Sequence, residues 1–455
     1  MWSLSFVVLV GFEPTQTEPE SGVLPLHHRT LRSIAVQNYY FFLNHQNFFK
    51  KKTEFCHFFA SFLCHLSLHC VLVSCFFCSQ ENIHYLCGKF EIMRVKDITA
   101  AIEAFAPLYL QESWDNSGMQ VGDPDSEVTG VLLCTDVREE IVDEAIERGA
   151  NMIISHHPLL FRGLKKITGR SYQERIVARA IKHDITIYCA HTNMDSAVGG
   201  VNFKMAEKLG MTNVQVLDPQ QGTQRKIIVF APIEAAAQVE KAMCDAGAGH
   251  LGNYDNCSYT MNGTGHYRPL NGAEPWAGEV GETHSEPEVR IEVLVNKALC
   301  GRVVAAMLKA HPYEEPAFDI IALENTDKYA GLGVIGDVEP QDAQQFLEKV
   351  KQAFEVKSMR YSGNLNRKVS RIAMCGGAGA EFICLAMAQG ADLYITGDMK
   401  YHEFQGNEDR IILADIGHYE SEHYTKEIFY DIITKKNPNF AVDFATNEKN
   451  QVNYL

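Results

Sequence analysis

From Met93 onward, short apolar runs alternate with amphipathic stretches of about ten residues. A chain with that grammar satisfies it by building parallel β-α units. The spacing predicts a helix over Asp97–Ala106, then strand Gly130–Cys134, helix Glu139–Arg148, strand Met152–Ser155, helix Tyr172–Lys182, strand Thr186–Ala190 and helix Asn202–Leu209. At 455 residues the chain is long enough for two or three domains.

Between Thr223 and Asn325 the pattern changes. Strand Ile227–Ala231, helix Glu234–Ala246, strand Ser258–Gly263, strand Val289–Val295, helix Leu299–Lys309 and strand Ala317–Leu323 are expected there. That β-α-β-β-α-β order is the ferredoxin-like split βαβ, with Pro269–Pro287 as the loop joining its middle strands. After Gly331 the alternation resumes: strand Arg371–Cys375, helix Glu381–Gln389, strand Leu393–Thr396, helix Lys400–Phe404, strand Arg410–Ala414, helix Ser421–Lys435 and strand Phe440–Phe444. The expected fold class is α/β: two similar α/β halves, residues 93–222 and 326–455, form one domain, and a ferredoxin-like α+β domain at 223–325 interrupts it.

Residues 1–92 do not share this grammar. They hold no aspartate, and their six glutamates balance six Lys+Arg, so the whole net charge of −16 belongs to residues 93–455. They also hold 13 of the 25 phenylalanines and 6 of the 13 cysteines. Three readings compete. A transmembrane anchor fits the 24 residues without formal charge from Phe55 to Cys78, though His57, His65 and His69 interrupt them. A secretory signal fits less well, because the apolar run starts late and no clean cleavage site follows. The third, which we favour, is a mis-assigned start: a non-native or disordered leader before a working chain that begins at Met93. Gly11-Phe12-Glu13-Pro14-Thr15 and Val23-Leu24-Pro25-Leu26-His27-His28-Arg29 resemble a transfer-RNA gene read as protein.

The charge of the body argues against a protein that holds nucleic acid by neutralising phosphates. Its seven cysteines are scattered singly with no CxxC pair, as expected of buried free thiols in a reducing, cytoplasmic compartment. No membrane partner is expected of it.

Three strand ends carry ligand-type side chains. Ile153-Ile154-Ser155-His156-His157-Pro158 presents two histidines, Ala190-His191-Thr192-Asn193-Met194-Asp195 a histidine and an aspartate, and Gly417-His418-Tyr419-Glu420-Ser421-Glu422 a histidine and a glutamate. On a helix His418 and Glu422 share one face. Open α/β sheets gather such groups beyond the carboxyl ends of their strands. Adjacent His156 and His157 diverge, so a pair of ions sharing a carboxylate or solvent bridge suits them better than one. Imidazole with carboxylate favours zinc, iron, nickel or cobalt. Bland readings stand beside each piece. A His-His pair is commonly a surface or cap feature, Asp195 can cap a helix, and His418 with Glu422 can be a solvated pair.

Other candidates are weaker. Gly376–Gly379 reads as a glycine-rich turn before a helix, either a phosphate approach or a structural turn. His402, after Asp398, reads as a supporting or capping residue. Gly249–Tyr254 and His311–Pro316 read as turns or as a lid, with Tyr313 and Glu314 projecting toward a cavity. Cys189 shows no sign of activation.

Trp114-Asp115-Asn116-Ser117-Gly118, Ser155-His156-His157-Pro158-Leu159, Ala190–Asp195 and Gly417–Glu422 together resemble the dinuclear metal-centre family. It is also called the Nif-three-like or GTP cyclohydrolase 1 type 2 homologue family. The resemblance covers essentially Met93–Leu455. It implies that His156, His157, Asp195, His418 and Glu422 hold two divalent metal ions per subunit, within one metal-binding domain built from both halves. It implies an insert of the PII/CutA type and a toroidal homohexamer with its metal sites facing an interior cavity. The implied activity is hydrolytic opening of the guanine ring of GTP, or of a related nucleotide, by metal-activated water. The alternative is a non-catalytic metal-binding or regulatory ring whose insert senses a small ligand.

Overall fold

The structure is a computed structural model and describes residues 93–405 and 409–455. The anchor, signal and leader expectations for residues 1–92 lie outside the described residues.

In chain order the elements are α1 (Val95–Phe105), β1 (Gly118–Val121), β2 (Val131–Cys134), α2 (Glu139–Arg148), β3 (Met152–Ser155), α3 (Tyr172–Lys182), β4 (Thr186–Cys189), the short α4 (Thr192–Ser196) and α5 (Val201–Leu209). Then come β5 (Thr212–Gln220), β6 (Gln224–Pro232), α6 (Ile233–Asp245), β7 (Ser258–Tyr267), β8 (His284–Asn296), α7 (Cys300–Ala310) and β9 (Phe318–Ala322). The chain continues through β10 (Asp327–Asp342), α8 (Ala343–Ala353), β11 (Arg360–Ser362), β12 (Lys368–Ala378), α9 (Ile383–Ala388), β13 (Leu393–Gly397), β14 (Ile412–Asp415), α10 (His418–Glu422), α11 (Thr425–Lys436) and β15 (Val442–Phe444). Local chemistry explains several boundaries. The Ser171 hydroxyl accepts the Glu174 amide at the start of α3. Gly149, at φ 70°, closes α2 in the left-handed region.

Three sheets result. The first runs β1-β4-β3-β2-β15, with β1 antiparallel and the rest parallel. The second runs β11-β14-β13-β12-β10-β5, parallel across β12, β13 and β14 and antiparallel outside them. The third, β7-β8-β6-β9, is antiparallel throughout. One apolar core joins the first two: Leu133 and Ile154, Met205 of α5, Phe346 of α8, and Ile372 and Ile395 belong to a single buried cluster. The third sheet has its own core of Ile227, Val229, Ile291 and Val293 under α6 and α7.

The structure departs from the sequence reading at several points. The closing strand does not finish the second sheet. Val442 pairs with Val131 at the edge of the first, so the C-terminus returns to the sheet where the described chain starts. The supposed turn Gly376–Gly379 is mostly strand: β12 runs through Gly376 and Gly377 to Ala378, with an irregular register after Met374. The helix expected over Ser421–Lys435 is two helices, α10 and α11. The one expected at Lys400–Phe404 is a 3-10 turn. Strands β1, β5, β10 and β11 and helix α8 were not anticipated. Gly331, Gly333 and Gly336 interrupt the apolar period of β10, which is the longest strand in the described chain. Among the described residues no helix is long and apolar enough to cross a membrane.

Candidate metal centre

Loops after the parallel strands of both sheets supply the inner groups of the site. His156 and His157 follow β3, and His191 and Asp195 bracket the first turn of α4 after β4. His418 and Glu422 form the two ends of α10 after β14. Helix α10 is placed by Ser421, whose hydroxyl accepts the Gly377 amide at 2.9 Å and donates to the His418 carbonyl at 2.8 Å. Gly377 lies in the left-handed region, φ 62°, and a Cβ there would come within 2.4 Å of Glu422 Oε1. The glycine is what lets β12 pass beneath the carboxylate.

Glu422 is almost fully buried and stands between two sets of imidazoles. Its Oε2 lies 2.8 Å from His157 Nε2 and 3.0 Å from His418 Nε2. Its Oε1 lies 3.6 Å from His156 Nε2, which is 3.7 Å from Asp195 Oδ1. These last separations are too long for hydrogen bonds. They do suit neighbouring ligands of one small ion, whose donors sit about 3.4 Å apart in a tetrahedral shell. His156 Nε2 and Asp195 Oδ1 are buried and have no hydrogen-bond partner among the described residues. Two orphaned buried atoms facing the same point are what a cation site requires.

The outer ring nitrogens are all occupied. His156 Nδ1 is 3.0 Å from the Ala190 carbonyl, His157 Nδ1 2.9 Å from Asp136, His191 Nδ1 2.8 Å from Asp115 and His418 Nδ1 2.8 Å from Asp398. Each contact places the proton on Nδ1 and leaves Nε2 to face inward, the support that metal-bound histidines receive. Ligand atoms of His156, Asp195 and Glu422 lie within 4.8 Å of one another, as do those of His157, His418 and Glu422, and those of His156, His157 and His191. The residues present therefore fit metal ions.

Electrostatics agree. Burial alone lowers the His157 pKa, but hydrogen bonds to Asp136 and Glu422 outweigh it and raise it to about 10. Burial likewise opposes the His418 imidazolium, whereas the Glu422 charge and the Asp398 hydrogen bond raise it to about 11. Burial and the Glu422 charge push the Asp195 carboxyl up. Burial opposes the Glu422 carboxylate too, yet His418 and His156 hold its pKa well below the usual range. The pocket concentrates negative charge and draws in protons or other cations.

All five expected ligands come together, and Asp195 faces the cluster with an oxygen that caps nothing. The sequence reading missed His191 as a member of the inner group, and it missed Asp115 and Asp136. His191 and Asp136 follow the same strand-end rule, whereas Asp115 precedes β1 and stands within the Trp114–Gly118 motif. Asp398 was noted only through its neighbour, yet it orients His418. His402 is exposed and rests beside Tyr401, with ring centroids 5.2 Å apart. The Asp136 loop is itself held from the far end of the chain: Glu448 accepts the Thr135 and Asp136 amides and pairs with Lys426. Gly249–Tyr254 forms turns, with Gly249 N donating to Leu294 O at 2.7 Å. Tyr313 binds Glu288 rather than any residue of the metal cluster. Cys189 is buried, donates to the His156 carbonyl, and burial raises its pKa, so it supports the loop and is no nucleophile.

Comparison with known proteins gives one consistent result. The family model described as Duf34/NIF3 (NGG1p interacting factor 3) matches residues 93–451. A Halalkalibacterium halodurans protein named GTP cyclohydrolase 1 type 2 homolog is 39% identical over 331 residues, 72% of this chain and 89% of that one. A Bacillus subtilis protein of the same name is 37% identical over 343 residues, covering 75% and 91%. Among solved structures, a Bacillus cereus protein related to NIF3 superposes with TM-score 0.69 at 38% identity, covering 80% of this chain and all of that one.

Proposed function

We propose that this chain, which belongs to the Duf34/NIF3 family, is a dinuclear metal-dependent hydrolase acting on GTP or a related nucleotide. The observation that carries the reading is the bridging position of Glu422 between two imidazole sets whose outer nitrogens are already committed. His156 and Asp195 would hold one divalent ion and His157 and His418 the other, with Glu422 shared. Bound ions would supply Lewis acidity that lowers the pKa of water and offsets developing negative charge.

The chain's own groups do the rest. His191, with Nδ1 held by Asp115, has Nε2 free to take a proton from water and return it to the leaving nitrogen. In the reaction we propose, water adds across the N7–C8 double bond of guanine, hydroxyl to C8 and one proton to N7; the C8–N9 bond then breaks and N9 takes the second proton, leaving a formamide on N7. Beside His191, Trp114 and Phe161 are 57% and 46% exposed with ring centroids 5.8 Å apart, a surface on which a base can stack. Exposed Arg162, Lys165, Lys166 and Arg170 follow Phe161 and suit a triphosphate. The names of the similar bacterial proteins point to the same substrate.

The test is GTP turnover by metal-loaded protein, followed as loss of guanine absorbance. Asp195→Ala should abolish it and Trp114→Ala should chiefly raise KM. No turnover with zinc, iron, nickel or cobalt, or an undiminished rate in Asp195→Ala, would sink the reading.

We also read residues 223–325 as an inserted ferredoxin-like domain. Its strand order β7-β8-β6-β9 and separate core support this. So does the pairing of Gln220 with Asp327, which sets the two host strands that carry it side by side.

A further inference from the structure

The third sheet bears a cavity of about 890 Å³ that shares no lining residue with the metal cluster. It lies on the face away from the helices. Val289, Ile291 and Val293 of β8 are buried in the core beneath α6 and α7, while the alternating Glu288 and Arg290 line the cavity. Gly263 of β7 pairs directly with Glu288, and a Cβ at Gly263 would meet nothing within 4 Å, so the missing side chain opens the floor. Phe230, Tyr267, Trp276 and Tyr313 contribute aromatic surface to the walls.

Glu288 decides the chemistry. It is only 8% exposed, and its Oε1 accepts the Tyr313 hydroxyl at 2.8 Å. Tyr313 is fixed in turn: its amide donates to His311 Nδ1 at 3.0 Å, and His311 Nε2 donates to the Phe230 carbonyl at 2.9 Å. Among the described residues no cation pairs with Glu288. The two cations of that sheet face, Lys226 and Arg290, both pair with Glu292, at 2.8 and 2.6 Å, though Arg290 Nε has no partner among the described residues. A buried carboxylate without a counter-ion is costly unless something positive joins it. Glu274, Glu314 and Glu315 add further negative charge to the lining, against Arg268 and Arg290.

We propose that this cavity binds a small organic cation, a protonated amine or guanidinium. Its charge meets Glu288, and its carbon skeleton lies against Tyr267, Trp276 and Tyr313 through cation–π and apolar contact. A bare divalent metal would need several oxygens converging on one point, and among the described residues Glu274, Glu288, Glu314 and Glu315 do not form such a group. The site does not depend on the hydrolase reading.

Titration calorimetry on the full chain with agmatine, spermidine and tetramethylammonium tests it, with butyramide and magnesium as comparisons. Saturable binding of at least one organic cation is expected, with little heat from butyramide or magnesium. Glu288→Gln keeps the shape and the Tyr313 contact and should weaken binding by about tenfold or more. Gly263→Leu fills the floor beside Glu288 while keeping the carboxylate itself and should abolish binding while metal content stays unchanged. Absence of saturable binding by all three cations, equal affinity in Glu288→Gln, equal binding of butyramide, or binding of magnesium alone would each overturn the proposal.

Discussion

Glu422 faces His156 with one oxygen and His157 with the other, and that division makes its substitution different from any single ligand's. His156→Ala or His157→Ala should each preferentially remove one ion, while Glu422→Ala should remove both. Metal analysis of the purified variants decides, and two ions kept in His156→Ala/His157→Ala would refute the assignment. The protons on the histidines give a second expectation. Unfolded imidazoles titrate near 6.5, whereas His157 is raised to about 10 and His418 to about 11. A raised folded pKa stabilises fully below the unfolded value and loses that contribution as pH rises through the folded one. Chelator-treated protein should therefore lose roughly several degrees of Tm between about pH 6.5 and 11. Metal-loaded protein should gain over it as pH rises, because ion binding requires those protons to leave. Thermal melts in both states across pH would show it, and a chelated Tm that climbs through this window would contradict it. At this scale all five proposed ligands were readable from strand-end position. Their orienting partners were not, because the sequence does not show that Asp136 and Asp398, which follow other strands, end beside His157 and His418.

Helix α10 and the irregular end of β12 make one device at the level of elements. The i,i+4 spacing of His418 and Glu422 was plain in the chain, and it holds because Ser421 ties the helix to Gly377. Gly377→Ala should thus do two things: strain a left-handed backbone, at a cost of about 1–3 kcal/mol, and displace the Glu422 carboxylate. Gly390→Ala separates the two, since Gly390 has φ 78° but an added Cβ there meets nothing. Both variants should lose stability in denaturant melts, and only Gly377→Ala should also lose metal. Retention of two ions in Gly377→Ala would remove the steric role given to that glycine. The sequence reading took this glycine run for a turn, because local composition does not reveal that a strand can continue when a distant carboxylate occupies the space above it.

For the whole molecule, the position of the third sheet sets the strongest expectation. The strands carrying it, β5 and β10, are hydrogen-bonded neighbours, and Gln220 pairs with Asp327. Paired antiparallel residues lie about 5 Å apart, so a short Gly/Ser linker can replace residues 223–325 without pulling the host sheet open. The deletion protein should keep two ions per subunit and lose binding of the organic cation. A deletion protein that is folded by circular dichroism yet metal-free would count against this division. The sequence by itself determined the α/β alternation, the change of grammar at Thr223 and which residues to propose as ligands, since periodicity and strand-end residues are local properties. Only the tertiary structure decided that β15 pairs with β2 rather than closing the second sheet. It alone decided that Glu448 braces the Asp136 loop and that His191 joins the inner group. Those contacts join residues far apart in the chain through packing and hydrogen-bond geometry, and no local pattern encodes which distant partner a strand edge or a carboxylate will meet.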